Sequence, residues 1–279
     1  MLYIYTMSFE GKNVLITGAS RGIGKAIAIK LASQGANIVI ASKTTKQHPK
    51  LEGTIYSAAE EIDKAGNGKV LAVQADIRNE DDVQRTVNEA VQTLGGIDIL
   101  INNASAINLS STEQLDVKRY DLMHDINVRG TFIMSKFCIP YLQKSSNGHI
   151  LNISPPLNMD KKWFPKHLAY TMSKYGMSMI VLGLASELKR YKIAVNALWP
   201  KTIIATAAIR NLPGGEEMIR HSRKPEIMAD AASAVLSKPS QTTTGNFFID
   251  QEVLIAEGIS DFSAYAVEAG TNLLPDLFL

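Results

Sequence analysis

Asn13-Val-Leu-Ile-Thr-Gly-Ala-Ser-Arg-Gly-Ile-Gly-Lys25 sets three glycines directly after a short apolar, β-branched run and directly before a helical pattern. Glycine permits a tight turn and lets backbone N–H groups approach a diphosphate at a helix N-terminus. Taken alone, such a string reads equally as a plain turn between strand and helix. Its place after the first strand of a repeating strand–helix pattern favours the phosphate reading, with Gly18, Ala19, Ser20, Arg21, Gly22, Ile23 and Gly24 as the contact residues. A P-loop is excluded. Five residues, not four, separate Gly18 from Gly24, and Lys25 is followed by Ala26, so no hydroxyl is placed for magnesium.

Working outward, strands are expected at 13–17, 36–41, 69–75, 97–101, 148–153, 193–198 and 246–250. Helices are expected at 22–34, 56–65, 80–94, 118–144 and 168–191. The strands are near-continuous apolar runs, so both faces should be covered. This alternation implies right-handed βαβ units in a doubly wound parallel sheet of about seven strands, helices on both faces. Ligands on such sheets bind beyond the carboxyl ends of the strands. The second strand ends Ile40-Ala-Ser-Lys-Thr44, where NAD-binding versions carry an acid for the ribose 2′-hydroxyl. Lys43 and Arg21 supply cations instead, which suit a 2′-phosphate, so NADP(H) is the expected cofactor. A solvated surface lysine is the plainer reading of Lys43.

Composition excludes several classes. The 279 residues carry 29 Lys plus Arg against 27 Asp plus Glu, a net charge of +2, and the charges are scattered. No basic stripe marks a nucleic-acid partner. One cysteine, Cys138, excludes a disulfide framework and a cysteine metal site. The five histidines (48, 124, 149, 167, 221) never take zinc-hydrolase spacing, and no metal is expected. No apolar run reaches the ~18 residues of a membrane span. A cytoplasmic, reducing location is the natural expectation. One domain over 1–279 is expected. Residues 1–7 read as a loose extension with Met7 a candidate start, and 202–227, hinged at Pro213-Gly-Gly215, as a substrate cover.

Tyr170-Thr-Met-Ser-Lys174 opens the helix after the fifth strand. Spacing i,i+4 puts both side chains on one face. A free phenol titrates near pH 10 and is a poor proton donor or acceptor at pH 7. A neighbouring ammonium lowers that value, so the pair can serve as a general acid/base for carbonyl chemistry. A chance surface pair is the alternative.

These motifs, with Asp76, Asn102-Asn-Ala104 and Asn127-Val-Arg-Gly130, resemble in order the short-chain dehydrogenase/reductase family over essentially the whole chain. Asn152-Ile-Ser-Pro-Pro-Leu157, Ala197-Leu-Trp-Pro-Lys-Thr202 and Gly245-Asn-Phe-Phe-Ile-Asp250 are similar to its hydroxysteroid dehydrogenase-like branch. Members of that branch can carry a sterol-carrier domain downstream, and this chain is expected to hold the dehydrogenase part alone. The resemblance implies a Rossmann-like fold and an alcohol/carbonyl oxidoreductase. Tyr170 would be its acid/base, and Lys174 would tune Tyr170 and bind the nicotinamide ribose. It further implies that Asn127 holds a water in a proton relay to Lys174, that Asp76 contacts the adenine, and that Asn102 sits beside the adenosine ribose. It implies a homodimer or homotetramer pairing the helices 118–144 and 168–191, which expose Gly176, Ser178 and Gly183.

The chain departs from the family pattern where a second serine, the usual carbonyl donor, would follow the fifth strand. Pro155 stands there and has no donor. Ser154 or Asn158 could take the role, or no donor exists. Loss of one such donor costs ~10²–10³ in rate. Lys201 replaces the usual glycine after Pro200 and could be a surface residue or reach the cofactor. Ser105 stands where the family has glycine after Ala104, a mild change. The expected pocket wall of Leu157, Trp163, Phe164 and Trp199 suits an apolar or lipid-like small-molecule substrate. Two rival readings keep the cofactor: a binding regulator or scaffold with little turnover, and a redox-neutral isomerase or dehydratase.

Overall fold

The computed structural model describes residues 8–47 and 52–279; the expected extension 1–7 and His48 lie outside them. Among the described residues, seven strands form one parallel sheet: β1 (Asn13–Thr17), β2 (Asn37–Ser42), β3 (Val70–Gln74), β4 (Ile99–Asn102), β5 (His149–Asn152), β6 (Ala194–Trp199) and β7 (Phe247–Ile249). Their order is β3-β2-β1-β4-β5-β6-β7. Val14 lies opposite Ile38 of β2 on one side and opposite Ile99 of β4 on the other. The winding therefore reverses between β1 and β4, and a crevice forms beyond their carboxyl ends.

Alternation along the strands feeds two cores. Val14 and Ile16 pack with Ile27 and Leu31 of α1 (Gly22–Ser33), Ile55 and Ile62 of α2 (Ile55–Asp63) and α9 (Glu226–Leu236). Leu15 and Val39 face the other way. They join Val83 and Val87 of α3 (Glu80–Leu94), Met134 and Cys138 of α5 (Thr131–Leu142) and Val181 of α6 (Leu168–Glu187). Strands covered on both faces have no use for polar alternation, which is why they read as apolar runs.

The helix expected over 118–144 is broken. It runs as α4 (Val117–His124), a π-helical turn (Asp125–Gly130) and α5. A single π turn inserts about one residue and re-aims the next side chains, and such turns cluster at functional sites. Here it turns Asn127 fully inward. Gly130 sits against Ile77, where a Cβ would lie 2.6 Å from Ile77 Cδ1.

Short helices α7 (Ala207–Arg210) and α8 (Gly215–Arg220) occupy the expected cover region. After α10 (Asp250–Ala256) the chain returns across the strand ends. Ile203 N donates to Leu274 O at 3.0 Å, and Asp276 N donates to Lys201 O at 3.2 Å. This C-terminal strap had no recognisable motif.

Candidate active site

The strand ends meet in a groove of about 680 Å³. Its wall comes from Gly18 after β1, Ser42 and Lys43 at β2, Asp76 after β3 and Asn103 after β4. Gly18 has φ +70°, and a Cβ there would stand 2.7 Å from Ala104 Cα. Gly24 is closed to a side chain as well, since a Cβ would stand 2.4 Å from Asn103 Nδ2. The turn thus needs glycine for close backbone packing. Arg21 is the N-cap of α1 in extended conformation and makes no side-chain cap bond. The first backbone N–H groups of α1 therefore have no side-chain acceptor among the described residues, a donor set that fits a diphosphate. Gly18, Ser20, Arg21, Gly22 and Ile23 line the groove, whereas Ala19 is buried behind it.

Cations and polar groups mark the far end. Arg21 Nε donates to Glu52 O at 2.9 Å, and its Nη2 donates to Gly53 O at 2.8 Å. Lys43 is exposed beside it. Asp76 lines the groove, but its carboxylate is gripped by Arg78 at 2.5 Å. That hydrogen bond, before any other cause, holds the Asp76 carboxyl below its ordinary range. Asn102 is buried instead. Its Nδ2 donates to Ser135 Oγ and Asn152 Oδ1, and its Oδ1 has no partner among the described residues. Its neighbour Asn103 faces the groove and pins the glycine turn through Thr17 O at 2.9 Å and Gly18 O at 3.0 Å. Side-chain alternation at the end of β4 was the signal that separates the two residues.

The groove continues into a second cavity of about 220 Å³, sharing Ile23, Asn103 and Thr206 with it. Tyr170 and Lys174 line this cavity, one turn apart on α6. Lys174 Nζ donates to Ile153 O at 2.9 Å and stands 5.1 Å from the Trp199 ring centre. Burial pushes the Lys174 ammonium down to about 7. The expected electrostatics of the pair take the opposite sign here. Burial first, and the Asp276 carboxylate second, push the Tyr170 phenol above its ordinary value. An amine that titrates near neutrality is only partly charged there and favours a phenolate less than a permanent ammonium would.

Asn127 is buried and its side chain is engaged. Its Oδ1 accepts from Ala106 N at 2.8 Å, and its Nδ2 donates to Ala106 O and Ser173 Oγ. Its side chain fixes the loop after β4 against the start of α6. Ser154 Oγ is fully buried without a partner among the described residues, and Ser154 is outside the cavity wall. Pro155 offers only its carbonyl, which accepts from Ser178 Oγ at 2.6 Å. Asn158 Nδ2 donates to Phe278 O at 3.3 Å. Of the expected wall, Trp199 lines the cavity, whereas Leu157, Trp163 and Phe164 belong to an aromatic cluster around Phe278. Lys201 acts through its backbone: its N–H donates to Asp250 Oδ1 at 2.8 Å and its side chain is exposed.

The strap supplies what the motifs did not. Phe278 is completely buried, 5.2 Å from the Tyr175 ring and 6.2 Å from the Tyr170 ring. Its φ is +75°, a backbone state that costs about 1–3 kcal/mol in a bulky residue. Trp199 Nε1 donates to Leu277 O at 2.9 Å. Pro275, Asp276 and Leu277 complete the cavity wall.

A family model described as short chain dehydrogenase matches residues 12–216. Hydroxysteroid dehydrogenase-like protein 2 of Danio rerio is 58% identical over 274 residues, which are 98% of this chain and 65% of that relative. Its Homo sapiens counterpart is 57% identical over the same length and shares. The chain thus spans 65% of the length of these relatives. A solved chain from Xanthomonas campestris, described as a dehydrogenase, superposes with a TM-score of 0.94 at 50% identity, covering 98% of this chain and 99% of that one. A short chain dehydrogenase from Mycobacterium thermoresistibile gives 0.92 at 49% identity, covering 98% and 96%. Glycine turn, strand order and these likenesses agree, and the chain belongs to the short chain dehydrogenase family.

Proposed function

We propose that the chain is an NADP(H)-dependent oxidoreductase that interconverts an alcohol and a carbonyl on an apolar or lipid-like substrate. The observation that carries this reading is the continuity of the glycine-turn groove with the cavity holding Tyr170 and Lys174. The N-terminus of α1 and Gly18 to Gly24 would receive the diphosphate, and Lys43 and Arg21 the 2′-phosphate. Asp76 would border the adenine. When bound, the nicotinamide supplies or takes the hydride. Tyr170 gives its phenolic proton to the carbonyl oxygen in reduction and takes it back in oxidation. Lys174, pushed to about 7 by burial, can carry a proton at neutral pH and can reach the ribose from the same face. Asn127 would hold a water in a proton relay to Lys174, its side chain fixing the surrounding loop through Ala106 and Ser173.

The cavity wall is mainly apolar, including Ile107, Leu109, Ile203 and Leu212. The cover region 202–227 contributes much of it, with Gly214 at φ +73° as its turning point. The relatives' name points toward lipid-like alcohols as well. The test is NADPH consumption by the purified protein with a panel of apolar ketones and aldehydes. Tight NADPH binding without turnover on any of them would leave a binding protein, and product formation without net NADPH change an isomerase or dehydratase.

Cofactor choice gives a sharper test. A charge-assisted bond to a phosphate is worth about 1.5–3 kcal/mol. Lys43→Asp is therefore expected to weaken NADPH binding about 10–100-fold while leaving NADH affinity within a few-fold, measured by fluorescence titration. Equal losses for both cofactors would remove Lys43 from the 2′-phosphate site.

Homo-oligomerisation through α5 and α6 is part of the same reading. Ser178 is buried and Gly176 half-buried, so of the three small residues only Gly183 is exposed. The apolar surface comes instead from Phe132, Met172, Met179 and Leu182. Leu182→Glu should shift light-scattering mass toward the monomer, and an unchanged mass would exclude that face. Among the described residues no helix is long and apolar enough to cross a membrane. The buried free Cys138 fits a reducing, cytoplasmic setting.

A further inference from the structure

Every donor that the sequence offers beside the reacting oxygen, other than Tyr170, is withdrawn. Pro155 has none, Ser154 Oγ is sealed in the interior, and Asn158 is tied to Phe278 O. The remaining polar side chains on the cavity wall are mostly engaged. Asn103 Nδ2 is spent on Thr17 O and Gly18 O, and Lys174 Nζ on Ile153 O. Thr206 Oγ1 caps α7 by accepting from Ile209 N. Asp276 differs. Its Oδ1 accepts from Leu277 N at 2.6 Å, and no other partner of its carboxyl is seen among the described residues. It stands in the same wall as Tyr170 and Lys174 and feels both electrostatically.

The strap is built to hold that residue still. Asp276 N is bonded to Lys201 O, Leu277 O to Trp199 Nε1, and Phe278 fills the aromatic socket two residues later. Bonds on both sides of one residue fix its backbone, which limits where its side chain can go, as a reacting group requires. We propose that Asp276 hydrogen-bonds the reacting oxygen of the substrate beside Tyr170, taking the donor role that Pro155 leaves empty. This rests on the alcohol–carbonyl reading above.

In reduction the hydride forms the new C–H bond, and the Tyr170 proton forms the new O–H bond as the C=O π bond breaks. Asp276 keeps its own proton and lends only a hydrogen bond. The neutral acid is the competent form. A carboxylate beside Tyr170 would oppose the phenolate left after proton transfer, whereas a carboxylic acid stabilises the developing oxyanion. Burial pushes Asp276 up to about 7, against the lowering pull of Leu277 N–H and Lys174. The charged and titratable groups that face it are Tyr170 and Lys174 on α6 and Asp250 at the start of α10. Arg223 and Lys201 act on Asp250 from behind.

The experiment has two arms on the whole chain. With NADPH and a ketone it reduces, Asp276→Leu should lose about 10²–10³-fold in kcat, with NADPH affinity and melting temperature kept. Asp276→Asn, which retains an N–H donor that does not titrate, should lose far less and should make the fall in rate as pH rises through about 7 shallower, leaving only the part due to Lys174. The second arm reads the infrared carbonyl stretch of bound cyclohexanone, which needs no turnover. The stretch should shift to lower frequency below that pH in the wild-type protein, and less so in Asp276→Leu. Turnover that survives Asp276→Leu within threefold would overturn the role, as would a carbonyl shift that is absent or identical in the two proteins. An unaltered pH limb in Asp276→Asn would overturn it too, and decides the matter should Asp276→Leu not fold. No turnover in the wild type combined with an Asp276-dependent carbonyl shift would sink the redox reading and leave Asp276 as the oxygen's partner.

Discussion

Tyr170→Phe is expected to lower kcat for carbonyl reduction by about 10²–10⁴-fold, the range that a positioned general acid contributes. The substitution deletes one oxygen and keeps the ring, so the packing against Phe278 and His167 stays. No protein partner of the Tyr170 hydroxyl is seen among the described residues, so its removal strands no buried donor or acceptor, and the melting temperature should move little. NADPH affinity should hold, because the phenol faces the smaller cavity rather than the glycine turn. Steady-state kinetics beside a thermal melt and a cofactor titration check all three. Turnover within a few-fold of wild type would remove Tyr170 as the proton donor and pass the role to another group of the wall.

The second large effect belongs to Gly18→Ala, and it strikes binding and stability together. At φ +70° an alanine is strained whatever the surrounding space, and here its Cβ would sit 2.7 Å from Ala104 Cα. The obstacle is backbone of the neighbouring strand end, which has no rotamer to give way. Overpacking of this kind typically costs about 1–3 kcal/mol, and the left-handed backbone adds about 1 more. The turn can escape only by moving away from β4, which opens the cradle formed by Gly18, Asn103 and the start of α1. NADPH affinity should therefore fall by more than tenfold, alongside a clear drop in denaturant midpoint. Gly95→Ala is a useful comparison. It shares the positive φ but meets nothing within 4 Å, so it should show the backbone strain alone.

Much of the site could be read along the chain because its parts are local. A glycine turn between β1 and α1 and an i,i+4 pair at the start of α6 each occupy fewer than about ten residues, and strand periodicity says where they fall. The doubly wound parallel sheet follows from the same alternation, since parallel strands require covered crossovers of fixed hand, whereas the order β3-β2-β1-β4-β5-β6-β7 came only from the structure. The helix over 118–144 was readable as helix but not as interrupted. A π turn shifts the register by about one residue, less than the tolerance of an apolar stripe. Asn102 and Asn103 illustrate the finer limit. Both belong to one motif, and only the pleat at the end of β4 sends the first inward and the second to the groove.

The amino-acid order alone settled the doubly wound sheet, the glycine turn between β1 and α1 and the shared face of Tyr170 and Lys174, because each is encoded by neighbours whose spacing matches a backbone period. Tertiary structure decided which polar groups line the cavity beside Tyr170. It sealed Ser154 inside, committed Asn127 to Ala106, brought Asp276 more than a hundred residues along the chain to Tyr170, and turned the balance of charge around the phenol. Such meetings depend on how a long return segment packs over the strand ends, and a contact between distant positions leaves no period to read.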